Sequence, residues 1–316
     1  MKTAGLANLT NTYSIVALDA NNRQLGAAMQ THNFEACNGV IWAEPGVAVV
    51  ASQAGSDPFY AFVGFEMMHL GKTAEQTLHA LLQCDPHPER NQVAIVDVHG
   101  NVAVHTGDKC IGETGHTIGK SYSCQANIML NNTVWNEMAK AFERSQGELV
   151  DRMMDALEAA ERAGGDIRGA QSAAIKVVST EHAKKPWQGT LYDFRVYDDH
   201  QPLQALQRLI STKKAHEQAA IAQNMLYEEN LDDDKVTLSI EKFNDAVNKI
   251  LNMDSQLQHQ CFYALSLFNK RRVDEALPLF KHVFANNPAW REVVIRVAKV
   301  HPEEPYAQNL DKILAE

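Results

Sequence analysis

The chain opens with short apolar runs set between turn residues. Thr12-Tyr13-Ser14-Ile15-Val16-Ala17-Leu18-Asp19 is followed by the turn pair Asn21-Asn22, a second run over 24–31, and a third over 46–54 that starts at Pro45-Gly46. An alternating polar face is missing, so these runs read as strands buried on both faces. Small hydroxyl residues stand at their ends. At Asp57-Pro58 the pattern changes to a helical period, because Asp caps and Pro fits the first turn. Phe59, Phe62, Val63, Met67 and Leu70 then share one expected buried face, and Gly71 stops the helix. Thr73-Ala74-Glu75-Gln76 is a capping-box pattern opening a second helix with Leu78, Leu81 and Leu82 inward.

Residues 92–97 and 102–106 read as a hairpin around His99-Gly100-Asn101, and 122–130 as a further strand. Two amphipathic helices follow, one carrying Val134, Met138, Ala141 and Phe142, the other Leu149, Met153, Leu157 and Ala160. Gly164-Gly165 ends the pair. Residues 172–178 and 191–197 are strands, and Leu203, Leu206, Leu209 and Ile210 mark a closing helix. Helices in pairs and short hairpins argue for an α+β fold with mostly antiparallel sheets. Two facing sheets with helix pairs outside would bury both strand faces.

From about Lys213 the strand signal ends. Tyr263-Ala264, Leu267, Ala276, Phe280, Val283 and Pro288 match the tetratricopeptide (TPR) pattern, in which an Ala sits where two helices cross closely. Phe243 and Ala246 suggest a preceding unit. Val294, Val297 and Ala298 suggest a following one, and a last helix with Leu310, Ile313 and Leu314 would cap the stack. A generic helical bundle accounts for the same residues. Asp232-Asp233-Asp234 reads as a solvated helix start. The expected organisation is a leader over 1–11, a mixed domain over 12–212 and an all-α, TPR-like domain over 213–316.

Composition narrows the functional classes. A net charge of −10 without a basic block excludes phosphate-backbone binding. No apolar run approaches the ~18–20 residues of a membrane helix. Residues 1–11 do not have the pattern of a secretory signal, so a cytoplasmic location is expected. Five cysteines without a CxxC pair argue against a disulfide framework or a zinc ribbon. Neither HExxH, a P-loop nor GxGxxG occurs, so no metal and no cofactor are expected.

Several segments carry a family resemblance. They include Thr12-Tyr13-Ser14-Ile15-Val16-Ala17, Ser52-Gln53-Ala54 with Asp57-Pro58, Arg90-Asn91-Gln92-Val93, Thr106-Gly107 with Cys110, and Gly115-His116. Further on come Gln125-Ala126-Asn127-Ile128-Met129-Leu130, the run from Gly164 to Ala174 that reads GGDIRGAQSAA, and Asp193-Phe194-Arg195-Val196-Tyr197-Asp198-Asp199-His200. Together they resemble the bacterial DUF1028 family over about residues 12–212. The resemblance implies an Ntn-hydrolase-like fold, a four-layer αββα sandwich, and leaves the helical tail outside the family's domain.

In Ntn hydrolases the first residue of the mature chain, Thr, Ser or Cys, is the nucleophile and its own α-amine is the base. Thr12 heads the first strand and is the candidate. Eleven residues precede it in this sequence, so its nitrogen is a peptide amide unless the bond after Asn11 is cut. A strand-start Thr chosen for β-propensity is the other reading. Gln53, Gln125 and Asn127 could donate to an oxyanion or satisfy backbone groups. Asp166 and Arg168 could orient a substrate's ammonium and carboxylate, or form an internal ion pair in a helix-ending loop. His116 is a lone candidate base in a loop, and Asp57 completes the candidate substrate-binding set. Two functions result. One is an amidohydrolase acting on a small amide or peptide-like bond. The other is a non-enzymatic scaffold that holds a protein or peptide partner through its TPR-like tail. A homo-oligomer is expected in either case.

Overall fold

The computed structural model describes residues 12–185 and 187–316. The chain divides into two compact units, the first ending at Ile210 and the second spanning Ser211–Glu316. The expected leader, residues 1–11, lies outside the described residues.

The first unit is a mixed α/β body with antiparallel sheets. One sheet has the strand order β10-β9-β2-β1-β8-β7. Its members are β1 (Thr12–Asp19), β2 (Gln24–Thr31), β7 (Glu113–Gly119), β8 (Tyr122–Met129), β9 (Ser172–Ser179) and β10 (Thr190–Val196). The other has the order β3-β4-β5-β6, built from β3 (Ile41–Glu44), β4 (Ala48–Ala54), β5 (Asn91–Asp97) and β6 (Val102–Thr106). Every paired strand runs antiparallel to its neighbour. Strand periodicity sends alternate side chains to opposite faces. Val16, Leu25, Ala27, Met29, Val49, Ala51, Ala94 and Val96 therefore meet in one apolar cluster between the sheets.

The outer faces take the helices. Helices α1 (Phe59–His69) and α2 (Ala74–Cys84) share a core with Val50, Val93 and Ile95. Helices α3 (Val134–Arg144) and α4 (Leu149–Arg162) share another with Tyr13, Ile15, Ala28 and Ile175. The capping box forms as the sequence predicts, with Thr73 Oγ1 accepting from Gln76 N and Gln76 Oε1 from Thr73 N. Gly71, at φ +85°, lets Lys72 N reach Met67 O and Gly71 N reach Met68 O, closing α1.

The buried face of α1 differs from the expectation. Tyr60, Ala61, Gly64 and Phe65 face the core, whereas Phe62 is 59% and Leu70 83% exposed. The helix is apolar nearly all round, so spacing alone selects no face. Two strands also lie outside the sequence reading. Strand β3 is four residues long, and β7 is a half-exposed edge with two glycines. His116 is thus on a strand rather than in a loop.

In the second unit, strands give way to helices. It holds α6 (Asp233–Val247), α7 (Met253–Asn269), α8 (Val273–Asn286), α9 (Trp290–Val300), α10 (Pro305–Gln308) and α11 (Leu310–Leu314). The last turns of α5 (Pro202–Met225) add Ala219 and Ala222 to its core. Asp232 caps α6 through Lys235 N, as the acidic run predicts. Ala264 on α7 and Ala276 on α8 are both fully buried, and Phe243 stacks on Tyr263 at 3.7 Å.

Candidate functional site

The space between the two sheets changes character at one end. Away from the apolar cluster, the inward positions at the Thr12 end are hydroxyls and amides. Ser14 and Gln125 are cross-strand partners, as are His116 and Gln125, Gln53 and Gln92, and Gln92 and Thr106. Cross-strand partners share a face, so the strand registers alone gather these side chains in one place.

Their hydrogen bonds form a directional series. Ser123 Oγ donates to Gln125 Oε1 (2.9 Å), Gln125 Nε2 to Ser14 Oγ (2.6 Å) and Ser14 Oγ to Gln53 Oε1 (2.6 Å). Gln53 Nε2 donates to Gln92 Oε1 (2.7 Å) and Gln92 Nε2 to Thr106 Oγ1 (3.0 Å). Thr106 Oγ1 lies 2.9 Å from His116 Nδ1. Burial and neighbouring His105 hold the His116 imidazole below its ordinary pKa. Thr106 Oγ1 accepts from Gln92, so its own proton is available to this ring nitrogen.

Thr12 hangs from this network by its carbonyl. Its oxygen accepts from Gln53 Nε2 at 3.0 Å and from Asn127 Nδ2 at 3.4 Å, and Asn127 also reaches Gln92 Oε1 at 3.2 Å. The side chain is fully buried, yet Thr12 Oγ1 has no hydrogen-bond partner among the described residues. A buried hydroxyl left so costs roughly 1–3 kcal/mol. The backbone adds strain of its own. Gln53 and Asn127 are each followed directly by a left-handed residue, Ala54 at φ +65° and Ile128 at φ +56°. For a β-branched residue that conformation is a real outlier, and such outliers gather at functional sites.

Asp166 and Arg168 lie at the same sheet end and hold each other. Arg168 Nη2 is 2.8 Å from Asp166 Oδ2 and Arg168 Nε 3.1 Å from Oδ1. The carboxylate also accepts from His32 N at 3.3 Å, while Met129 and Asp166 form an isolated bridge. The loop thereby ties down the ends of β2 and β8, the two strands that flank β1. Asp57 falls outside the network. It caps the start of α1 through Phe59 N at 2.9 Å, and its backbone exchanges bonds with Ser52 Oγ.

Thr12, Gln53, Gln125, Asn127 and His116 are therefore brought together, while Asp57 is not. Ser14, Gln92, Thr106 and Ser123 join them without having been singled out as site residues. For Ser14 and Ser123 the signal is polar residues two apart inside otherwise apolar strands, as in Thr12 with Ser14 and Ser123 with Gln125 and Asn127. Cysteine offers no primed nucleophile nearby: burial pushes the Cys37 thiol up to about 12 and the Cys110 thiol to about 11. Among the described residues no group of three or more His, Cys, Asp or Glu could hold a metal ion.

An antiparallel two-sheet body with this polar end matches a known sequence family. The chain belongs to DUF1028, a family of unknown function, whose profile matches residues 12–206. A crystal structure of a DUF1028 protein from Silicibacter pomeroyi is similar at 28% identity and a TM-score of 0.57, over 65% of this chain and 86% of that one. Anbu, the ancestral β-subunit, from Yersinia bercovieri aligns at 10% identity and a TM-score of 0.30, over 65% of this chain and 95% of that one. No curated protein matches the sequence.

Proposed function

We propose that the first unit is a four-layer αββα domain of the Ntn-hydrolase type and works as an amidohydrolase on a small amide or peptide-like bond. The observation that carries this reading is Thr12: a buried hydroxyl without a partner among the described residues, on a residue whose carbonyl two amides hold in place. Cutting the bond between Asn11 and Thr12 frees an α-amine with an ordinary pKa near ~8. That amine takes the Oγ1 proton as Oγ1 attacks the substrate carbonyl. The proton passes to the departing amine, leaving an ester on Thr12, and water then hydrolyses the ester and restores the hydroxyl. Gln53 and Asn127 bind the Thr12 carbonyl, which the cut leaves intact, so their role here is positioning.

The test compares chains by intact mass and peptide mapping after exposure to a β-lactone, which acylates an amino-terminal threonine hydroxyl. A chain starting at Thr12 should gain the adduct on Thr12 at least about tenfold faster than one retaining residues 1–11. Thr12→Ala should gain none there. Equal labelling of all three chains would sink the mechanism.

A second reading rests on the tail. A groove of about 310 Å³ in the second unit is lined by residues of α7, α9 and α10 and by Gln223 and Tyr227. Its size suits one anchoring side chain of a partner peptide.

A further inference from the structure

The groove in the second unit has a particular chemistry. Three aromatic rings line it, Tyr227, Phe262 and Tyr306, together with the carboxylate of Glu304. Tyr227 Oη donates to Ser266 Oγ at 2.9 Å, and Gln223 Nε2 donates to the same oxygen at 2.9 Å. Ser266 Oγ in turn donates to Phe262 O at 3.1 Å, so Tyr227 is fixed against the turn of α7 that carries Phe262. On the other wall Asn269 Nδ2 donates to Glu304 Oε2, and Asn269 Oδ1 accepts from Tyr306 N at 3.4 Å. Burial and the charges of Glu304 and Glu303 push the Tyr306 phenol up.

Rings and an acid together define what fits. Each aromatic face carries partial negative charge, and a carboxylate beside it adds a full one. Glu304 makes no ion pair among the described residues, although Arg and Lys elsewhere in this unit pair with Glu275, Asp233 and Asp245. His301 also lines the groove, and its Nδ1 lies 3.8 Å from the carboxylate of Glu303. Lys270 Nζ stands 5.0 Å from the Tyr227 ring centre, so the chain's own ammonium covers one face of this ring and leaves the other to the groove. An anion would be repelled by the Glu304 carboxylate, which has the Asn269 hydrogen bond and no ion pair among the described residues, whereas an alkylammonium would pair with it.

We propose that this groove is a cation site that takes the ammonium of a lysine side chain from a partner peptide. The lysine stem would lie against Phe262, Leu265 and Val297, with its head group between Tyr227, Tyr306 and Glu304. The proposal rests on the partner-binding reading of the tail and gives that reading a ligand class.

The experiment measures binding of a fluorescein-labelled Gly-Ser-Lys-Ser-Gly peptide to the full chain by anisotropy. A matched peptide with Nε-acetyl-lysine and free n-butylamine are the other arms. The lysine peptide should bind, and acetylation should weaken it at least about tenfold, since it removes the charge and the cation–π contact. Glu304→Gln keeps the Asn269 bond and should weaken binding about tenfold as well. Phe262→Ala, at a half-exposed position, should weaken it about fivefold with an unchanged thermal midpoint. Equal binding of the acetylated peptide, no effect of Glu304→Gln, or no binding of the lysine peptide would each overturn the site. If a tail-dependent protein partner is found whose binding survives Glu304→Gln, the partner reading stands and the cation site fails.

Discussion

Thr12 and Gln53 sit in the same buried network and should respond to substitution in opposite ways. Gln53→Leu strips the Thr12 carbonyl, Gln92 Oε1 and the Ser14 hydroxyl of a partner each. The expected loss is about 2–4 kcal/mol, read as a lower urea midpoint. Thr12→Val keeps the shape and removes a hydroxyl that has no partner among the described residues. It should leave stability unchanged or raise it by about 1 kcal/mol. A stability gain on deleting the candidate nucleophile is what a site built for chemistry rather than for folding produces. Histidine supplies the pH dependence at this scale. His116 is held below its ordinary pKa by burial and His105, and His259 by burial and His216, whose Nδ1 lies 2.7 Å from its Nε2. The unfolded chain takes up these protons near pH 6.5, before the folded chain does. Stability should therefore be full above about pH 6.5 and fall as the pH drops toward the depressed folded values. His116→Gln combined with His259→Gln should flatten that fall in urea titrations between pH 7.5 and 5.

Elements differ in how plainly the sequence announces them. The capping box and Gly71 are readable because each satisfies specific backbone groups with a specific residue type. Thr73→Ala should cost about 1 kcal/mol by loss of the cap, and Gly71→Ala about the same by forcing a Cβ into a left-handed position. Both are measured as shifts in thermal midpoint. The face of α1 was not readable, since apolar residues on all sides erase the period that would orient it. Phe65→Ala should cost about 3 kcal/mol, whereas Phe62→Ala, on the face the spacing favours, should cost under about 1 kcal/mol. Strand β7 was hidden for another reason. Its residues are exposed or half-buried and Ile118 is its one large apolar side chain, so only pairing with β8 makes them a strand. The candidate site was half legible for the same kind of reason. Thr12, Gln53, Gln125 and Asn127 stand out as polar residues near strand ends. Gln92 and Thr106 matter only through registers that join distant strands, and no local pattern encodes those.

At the scale of the whole molecule, the family match ends at residue 206, close to where the second unit begins at Ser211. The family therefore speaks for the sheets and their helices, while the tail must be read from its own chemistry. No helix among the described residues is long and apolar enough to cross a membrane. We propose that the chain self-associates. Light scattering coupled to size exclusion should then give a mass above the 35.1 kDa of one chain, and a value equal to it would end the proposal.

Between the sheets Gln125, Gln53 and Gln92 each pass a hydrogen bond on in one sense, from Ser123 to Thr106, whose hydroxyl meets the His116 ring. A row of dipoles aligned in this way polarises as a unit, so a charge placed at one point is felt along the row. The His116 ring is then an indicator wired to the threonine. Releasing an ammonium group at Thr12, or filling the space beside its hydroxyl, should move the imidazole resonances of His116 in an NMR spectrum, with no substrate identified in advance.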